Sequence, residues 1–247
     1  MRGERALLGV GGHEERREIG FGRMAQALLE ARTPQEALDR AVRAVVDVVP
    51  SADLVSITTI DGGELRTPAG SAEKAFELDE VQYDHGEGAC VEAARSAATC
   101  ASDDLAHDPR WPRFGPAAAD RGAQSLVSTP LPVVDSEGRQ LRGALNAYST
   151  GKIPEADREA LSALAAETAL GLAAARARRQ AEQLREALGT RDVIGMAKGI
   201  LMATRGVDDQ GAFALLRDIS QNNNVKLHDL AATLVERHPE LDLAAGT

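Results

Sequence analysis

The residues able to do chemistry in this chain are few and unevenly spread. Between Arg176 and Arg205 seven basic side chains stand against three acidic ones, a local net of +4. That is the kind of footprint a phosphate backbone needs, although a solvated helix face laced with Arg/Glu pairs has the same composition. In and just beyond this stretch, Arg191, Lys198, Arg205 and Lys226 are the candidate phosphate contacts or stacking guanidiniums, and Gln221 and Asn224 offer paired donors and acceptors to base edges. Phe213 is the only aromatic beyond residue 150, and its helical spacing with Leu216 assigns it to a core. Ala197 and Gly199 form a small pair that lets another backbone, or RNA, come close; packing is the preferred reading. Catalytic chemistry is poorly provided for. Cys90 and Cys100 are the only cysteines, and they form no CxxC and no metal-ligand spacing. Buried thiols are expected, with a redox pair as the alternative. His85 and His107 are too isolated to argue for haem or a metal. There is no nucleophile–base pair of specific spacing, no phosphate-cradling glycine loop followed by Lys, and no paired-carboxylate signature. No catalytic or metal residue is therefore assigned.

Composition frames these candidates. The 247 residues carry 38 acidic and 28 basic side chains, a formal charge of −10, with 43% hydrophobic and only 3% aromatic residues. The chain reads as globular and long enough for one large domain or two ordinary ones. An acidic total argues against a broad grip on nucleic acid or an anionic membrane, because that affinity comes from Lys and Arg displacing counterions. The deficit is local, however: residues 1 to 175 hold 18 basic against 28 acidic groups, and residues 206 to 247 hold 3 against 7. No apolar run is long enough to span a membrane and no convincing signal peptide is present, so a cytoplasmic location is expected.

The elements that must position these residues follow from periodicity. Residues 1 to 20 mix Gly, Arg and Glu without a period and read as a mobile arm. Met24, Ala25, Leu28 and Leu29 have helical spacing. Thr33-Pro34-Gln35-Glu36 combines an N-cap, a first-turn proline and a capping glutamate, and the helix it starts stops at Pro50. Strands are expected over Leu54 to Ile60, after the Asp61-Gly62-Gly63 turn, and over Thr99 to Ala101, Ser125 to Val134 and Leu141 to Ser149, with Asp135 to Gly138 turning between the last two. Helical patches fall around Ala72 to Tyr83, Cys90 to Ser96 and Phe114 to Arg121. This is an α+β domain on an antiparallel sheet. From 156 to 190 an Ala-, Leu-, Glu- and Arg-rich helix carries Leu170, Ala174, Ala177, Ala181, Leu184 and Leu188 as a small-residue coiled-coil seam, with Gly189-Thr190 a candidate break. Three short helices are expected after Arg191, the last ending near His238-Pro239.

Two resemblances meet in these blocks. Leu78 to Tyr83, Gly86-Glu87-Gly88-Ala89-Cys90-Val91-Glu92-Ala93, Asp108 to Phe114, Leu126 to Leu131 and Gly143 to Tyr148 resemble, in order, the GAF domains of actinobacterial regulators. Arg191 with Ile194 to Met202, then Ala212-Phe213, Leu216, Ser220-Gln221 and Asn224 to Leu227, resemble the ANTAR domain. The resemblance implies a GAF-like sensor over 21 to 155, a linking coiled-coil helix over 156 to 190 and an ANTAR-like domain over 191 to 247. It implies an RNA-binding transcription antiterminator, a dimer holding paired stem-loops in a leader transcript under control of a small-molecule or protein signal; the seam, read as pairing between chains in preference to packing on its own domain, puts the homodimer contact in the 165 to 188 helix. In the sensor blocks the candidate pocket residues are Tyr83, Cys90, Trp111, Arg113, Ser125 and Tyr148, with Trp111 and Tyr148 as an apolar wall and Arg113 as an anion contact. The residues name no cofactor. Two other readings stay open: a DNA-binding helix-turn-helix regulator using the helix from Lys226 to His238, and a cysteine-based free methionine sulfoxide reductase, since some GAF-like proteins have that activity.

Overall fold

The computed structural model describes residues 4–134 and 140–244. The chain divides into two compact units, one ending at Arg179 and the other beginning at Gln180.

The first unit is built on β1 (Leu54–Asp61), β2 (Glu64–Gly70), β3 (Cys100–Ser102), β4 (Ser125–Val134) and β5 (Gln140–Ser149), ordered β2-β1-β5-β4-β3 with every neighbour antiparallel. Gly62 and Gly63 join β1 to β2 with φ of 58° and 92°, the double positive φ that a two-residue hairpin of matching twist requires. The expected turn at Asp135 to Gly138 lies outside the described residues. Side chains alternate along each strand. On one face Val55, Ile57, Val127, Leu145 and Ala147 meet an aliphatic layer from α1 (Glu4–Glu30), α2 (Pro34–Val48) and the first half of α6 (Glu155–Arg205). On the other, Leu126, Ala144 and Tyr148 pack with Leu78, Cys90, Trp111 and Phe114 from the region of α3 (Glu73–His85), α4 (Ala89–Ser96) and α5 (Phe114–Asp120). Ser56, Thr58 and Asn146 occupy the same alternating positions on this second face and are fully buried.

Helix starts follow the expected chemistry. Thr33 Oγ accepts the Glu36 amide at 3.1 Å, Pro34 opens α2, and the Glu36 carboxylate accepts the Arg32 amide at 2.9 Å. Residues 4 to 20 depart from the arm read in the sequence, because they form the beginning of α1. Arg17 pairs with the Asp157 carboxylate, and Gly20 lies so close to Val48 that a Cβ would come within 2.4 Å of it. A glycine that interrupts the helical pattern is here the residue that lets two helices touch.

Gly189-Thr190 is not a break: α6 runs unbroken for 51 residues, since a lone glycine costs a helix only ~1 kcal/mol and its neighbours are good helix formers. In the first unit α6 buries Leu161, Leu164, Ala165, Thr168, Leu172 and Ala175. The expected seam lies elsewhere on the helix: Leu170, Leu184 and Leu188 are 72%, 59% and 59% exposed. The second unit comprises the end of α6, α7 (Asp209–Asn223) and α8 (Leu227–Ala244). Its first helix is thus the continuation of α6. Ala197, Leu216 and Ala231 form the centre, flanked by Val193, Ile194, Leu201, Leu227, Leu230, Leu234 and Val235. Asp208 caps α7 by accepting the Gly211 amide at 2.8 Å. The chain continues α8 to Ala244, past the stop expected near His238-Pro239.

Candidate ligand and nucleic-acid sites

In the first unit, the polar sheet positions meet one face of α3. Asp79, Gln82 and Tyr83 recur at helical spacing, and the first two are wholly buried. The Tyr148 hydroxyl donates to Asp79 Oδ1 at 2.6 Å and accepts from Gln82 Nε2 at 2.6 Å. Thr67 donates to Asp79 Oδ2 at 2.8 Å, while Asn146 Nδ2 reaches Thr58 at 2.8 Å, Ser56 at 3.1 Å and Asp79 at 3.3 Å. The Tyr83 hydroxyl lies 2.9 Å from Thr58 and 2.8 Å from Thr67. Gln82 Oε1 accepts the Cys90 amide at 2.9 Å, which places the α4 N-terminus. Gly88 makes this possible: a Cβ there would fall 2.1 Å from Gln82 Oε1. No cation pairs with Asp79 among the described residues. Desolvation therefore dominates, raising its pKa to about 6, against the pull of its hydroxyl and amide partners. Asn146 Oδ1 is buried with no hydrogen-bond partner.

A pocket of about 280 Å³ adjoins this network, lined by Leu54, Leu78 and Tyr148 below and by Asp53, Lys74 and Thr150 at its rim. Asp53 is already engaged: its Oδ2 accepts the Thr150 amide and hydroxyl at 2.6 and 2.8 Å, contacts that hold its pKa below the usual range.

Of the sensor residues expected from sequence, Tyr83, Cys90 and Tyr148 converge on the network. Trp111 packs in the same core, its indole N–H donating to Glu92 at 2.8 Å with the Arg110 guanidinium 4.4 Å from its ring centre. Arg113 and Ser125 lie apart from it. The Arg113 guanidinium is occupied by Glu87 at 2.7 Å and the His85 carbonyl at 2.8 Å, and Ser125 Oγ donates to the Gly151 carbonyl at 2.6 Å. Asp79, Gln82, Asn146, Ser56, Thr58 and Thr67 were missed. Their signal was available as polar residues at period two within strands and at i, i+3 on α3, where an apolar core is the default.

Neither cysteine is prepared as a nucleophile. Cys90 is fully buried and desolvation raises its pKa well above that of a free thiol. Cys100 donates to Glu92 at 3.1 Å and is pushed up to about 12 by burial and that carboxylate. A reactive thiolate needs the opposite surroundings. Among the described residues no group of His, Cys, Asp and Glu is placed to hold a metal, and no helix is long and apolar enough to cross a membrane.

In the second unit Arg191, Arg205, Gln221, Asn224 and Lys226 are exposed, and no side-chain hydrogen bond or ion pair engages them among the described residues. Lys198 differs: its ammonium sits 2.5 Å from Asp209 Oδ1 and is only 21% exposed. Ala197 and Gly199 also part company. Ala197 is buried in the core, whereas Gly199 faces open space. Phe213, expected inside, is 41% exposed. On α7 it lies 100° from Ala212, and that core centre has room for Ala212 and Leu216 only.

The architecture is thus a sheet with one polar face under short helices, followed by a long helix that ends in a small helical unit. A GAF-domain family model matches residues 31–173 and an ANTAR-domain model matches residues 182–235. The chain belongs to the GAF-domain family and carries, beyond that domain, an ANTAR domain; it joins a sensor domain to an RNA-binding antitermination domain. No curated protein matches it in sequence. Solved structures share the fold at low identity. The GAF domain of a phosphoenolpyruvate-protein phosphotransferase from Coxiella burnetii is 19% identical over 67% of this chain and 98% of its own, with a TM-score of 0.51. The reduced form of fRMsr of Staphylococcus aureus is 15% identical over 63% and 94%, with a TM-score of 0.50. The photosensory core module of a Stigmatella aurantiaca phytochrome is 15% identical over 84% of this chain and 44% of its own, with a TM-score of 0.55.

Proposed function

We propose that this protein is a signal-controlled transcription antiterminator whose ANTAR domain binds paired stem-loops in a leader transcript and so prevents an overlapping terminator hairpin from forming. The observation that carries this reading is the set of side chains Arg191, Arg205, Gln221, Asn224 and Lys226 on the ANTAR unit, exposed and without a side-chain partner among the described residues. The cations supply phosphate contacts and the amides read base edges. Lys198 contributes least, because its charge is already matched by Asp209. The exposed stripe containing Leu170, Ala177, Leu184 and Leu188 supports a homodimer through residues 165 to 188, which presents two ANTAR units to two stem-loops. In the GAF domain, the signal is a small molecule at the pocket lined by Leu54, Leu78 and Tyr148, beside the buried network that Tyr83 and Cys90 join. The setting is cytoplasmic.

The test is a mobility-shift comparison of RNA stem-loops with duplex DNA. Stem-loop binding by the full chain is expected. In salt titrations Arg191→Ala and Lys226→Ala should each reduce the slope of log K against log[salt] by about one ion per protomer, and Lys198→Ala should change it less. Binding to duplex DNA alone would overturn the reading.

A further inference from the structure

The position of Phe213 has a use that follows from its neighbours. The ANTAR unit has a small core, in which Ala197, Ala212, Leu216 and Ala231 are the fully buried apolar residues among those described. Burying a phenylalanine contributes ~1.5–3 kcal/mol, yet this fold leaves 41% of Phe213 in solvent. Residues at i+4, i+8 and i+11 share a helix flank; from Phe213 these are Arg217, Gln221 and Asn224, all exposed. Arg217 has a 55% exposed side chain that pairs with the adjacent Asp218 at 3.5 Å. The Gln221 and Asn224 amides make no side-chain hydrogen bond among the described residues. Asn224 stands in the left-handed region, φ 51°, and ends the helix, so Lys226 follows at once. One turn before Phe213, Asp209 holds the ammonium of Lys198. Cation, aromatic ring, guanidinium and two amides thus follow one another along one flank of α7.

A flat apolar ring beside a guanidinium is a surface on which an unpaired base stacks, and amides beyond it match the edges of that base. A protein partner would favour apolar continuity around the ring, and this flank has none: the exposed Leu215 and Ile219 lie on the other side of the core direction. We propose that Phe213 is the base-stacking platform of the RNA face, taking an unpaired loop base against its ring, with Arg217 flanking the base and Gln221 and Asn224 reading its edge. This rests on the RNA-binding reading above and names the residue that distinguishes loop from stem.

The experiment uses the full chain and a pool of synthetic RNA hairpins with a constant stem and randomised loops. The best binder selected by the wild type is resynthesised with 2-aminopurine at each loop position in turn. Binding should quench one loop position strongly. Phe213→Ala should abolish that quenching and weaken binding roughly 5- to 150-fold. Phe213→Leu, which keeps apolar bulk without a π face, should behave like Phe213→Ala, and Phe213→Trp should restore both readouts. Arg217→Gln should weaken binding with quenching at the same position retained. Circular dichroism and sedimentation accompany each variant. If wild type selects hairpins but Phe213→Ala or Phe213→Leu binds and quenches as wild type does, the platform is overturned while the RNA reading stands. If Phe213→Ala instead turns a dimer into a monomer, the ring is a protein contact and the proposal fails. If the wild type selects no hairpin, the RNA reading itself falls, and the platform with it.

Discussion

The two units treat their polar and aromatic groups in opposite ways. The GAF unit holds Trp111, Phe114 and Tyr148 at 1% exposure or less and seals a carboxylate, two amides and several hydroxyls beneath them. Among the described residues the ANTAR unit buries little beyond three alanines and a leucine, and leaves Met196, Met202, Phe213, Leu215, Ile219 and Val225 at 38% exposure or more. The contrast matches the functions proposed for each. A small signal molecule would gain from a low-dielectric interior, where each hydrogen bond is stronger and each unmatched one costs more. A phosphate-bearing polymer would be met at the surface, where the cations and the ring of the proposed RNA face stand.

The largest effect that tests this contrast is cavity formation. Phe114→Ala should cost ~3–5 kcal/mol in the GAF unit, whereas Leu216→Ala in the ANTAR unit should cost about 2 kcal/mol, the low end for its type, because a small core collapses around the gap. Trp111 is the only tryptophan, so its fluorescence in urea follows the GAF unit while far-UV circular dichroism follows all helices. Phe114→Ala should move the Trp111 transition and Leu216→Ala should leave it in place. A Trp111 transition shifted by Leu216→Ala would show that the two units unfold as one.

Next in size is the charge buried at Asp79. Its pKa is about 6 in the folded chain against 3.8 for a free side chain, with desolvation as the chief cause. Between pH 4 and pH 6 the native state therefore keeps a proton that the unfolded state has lost. Stability from this group falls as pH rises through that window, and the penalty, roughly 3 kcal/mol from the pKa difference, is complete above it. Groups such as Asp108, held at about 2 mainly by its hydrogen bonds to Arg110, act in the opposite direction at lower pH, so the informative quantity is a difference. Asp79→Asn should gain on wild type steadily from pH 4 to pH 6 and hold a constant lead above. A difference that stays flat from pH 4 to pH 7 would mean that the carboxylate is not sealed in.

What the sequence revealed divides along the same line. Ser125 to Val134 and the Thr33 cap were legible because strand alternation and capping are local codes, and the ANTAR blocks were legible through resemblance. Residues 4 to 20 were not, since glycines erase their helical period, and the one at Gly20 serves a contact with Val48 of α2 that only the fold supplies. The buried network was hidden for a related reason: Asp79, Asn146 and Thr67 come from elements far apart in sequence, and each alone looks like an ordinary surface residue. Arg113 looked like an anion contact because its partner Glu87, 26 residues away, was invisible. Phe213 was misread through its spacing with Leu216, because a period identifies a face but not how much of its edge the core can cover.

The smallest effect separates two uses of glycine. In the GAF unit Gly20 and Gly171 are sites of close approach, where a Cβ would lie 2.4 Å from Val48 and 2.7 Å from Leu28. In the ANTAR unit Gly195 and Gly199 sit within α6 with nothing inside 4 Å of a would-be Cβ. Alanine at the first pair should destabilise the protein. At the second pair it should stabilise, by ~0.5–1 kcal/mol each, through the lower backbone entropy of the unfolded chain and better helix propensity. Thermal unfolding followed by circular dichroism measures both signs. If Gly195→Ala and Gly199→Ala fail to stabilise, α6 is not helical through these positions in solution. If they do stabilise but RNA binding weakens, the missing side chains make room for the nucleic-acid backbone, and the instability of this stretch of α6 is tied directly to recognition.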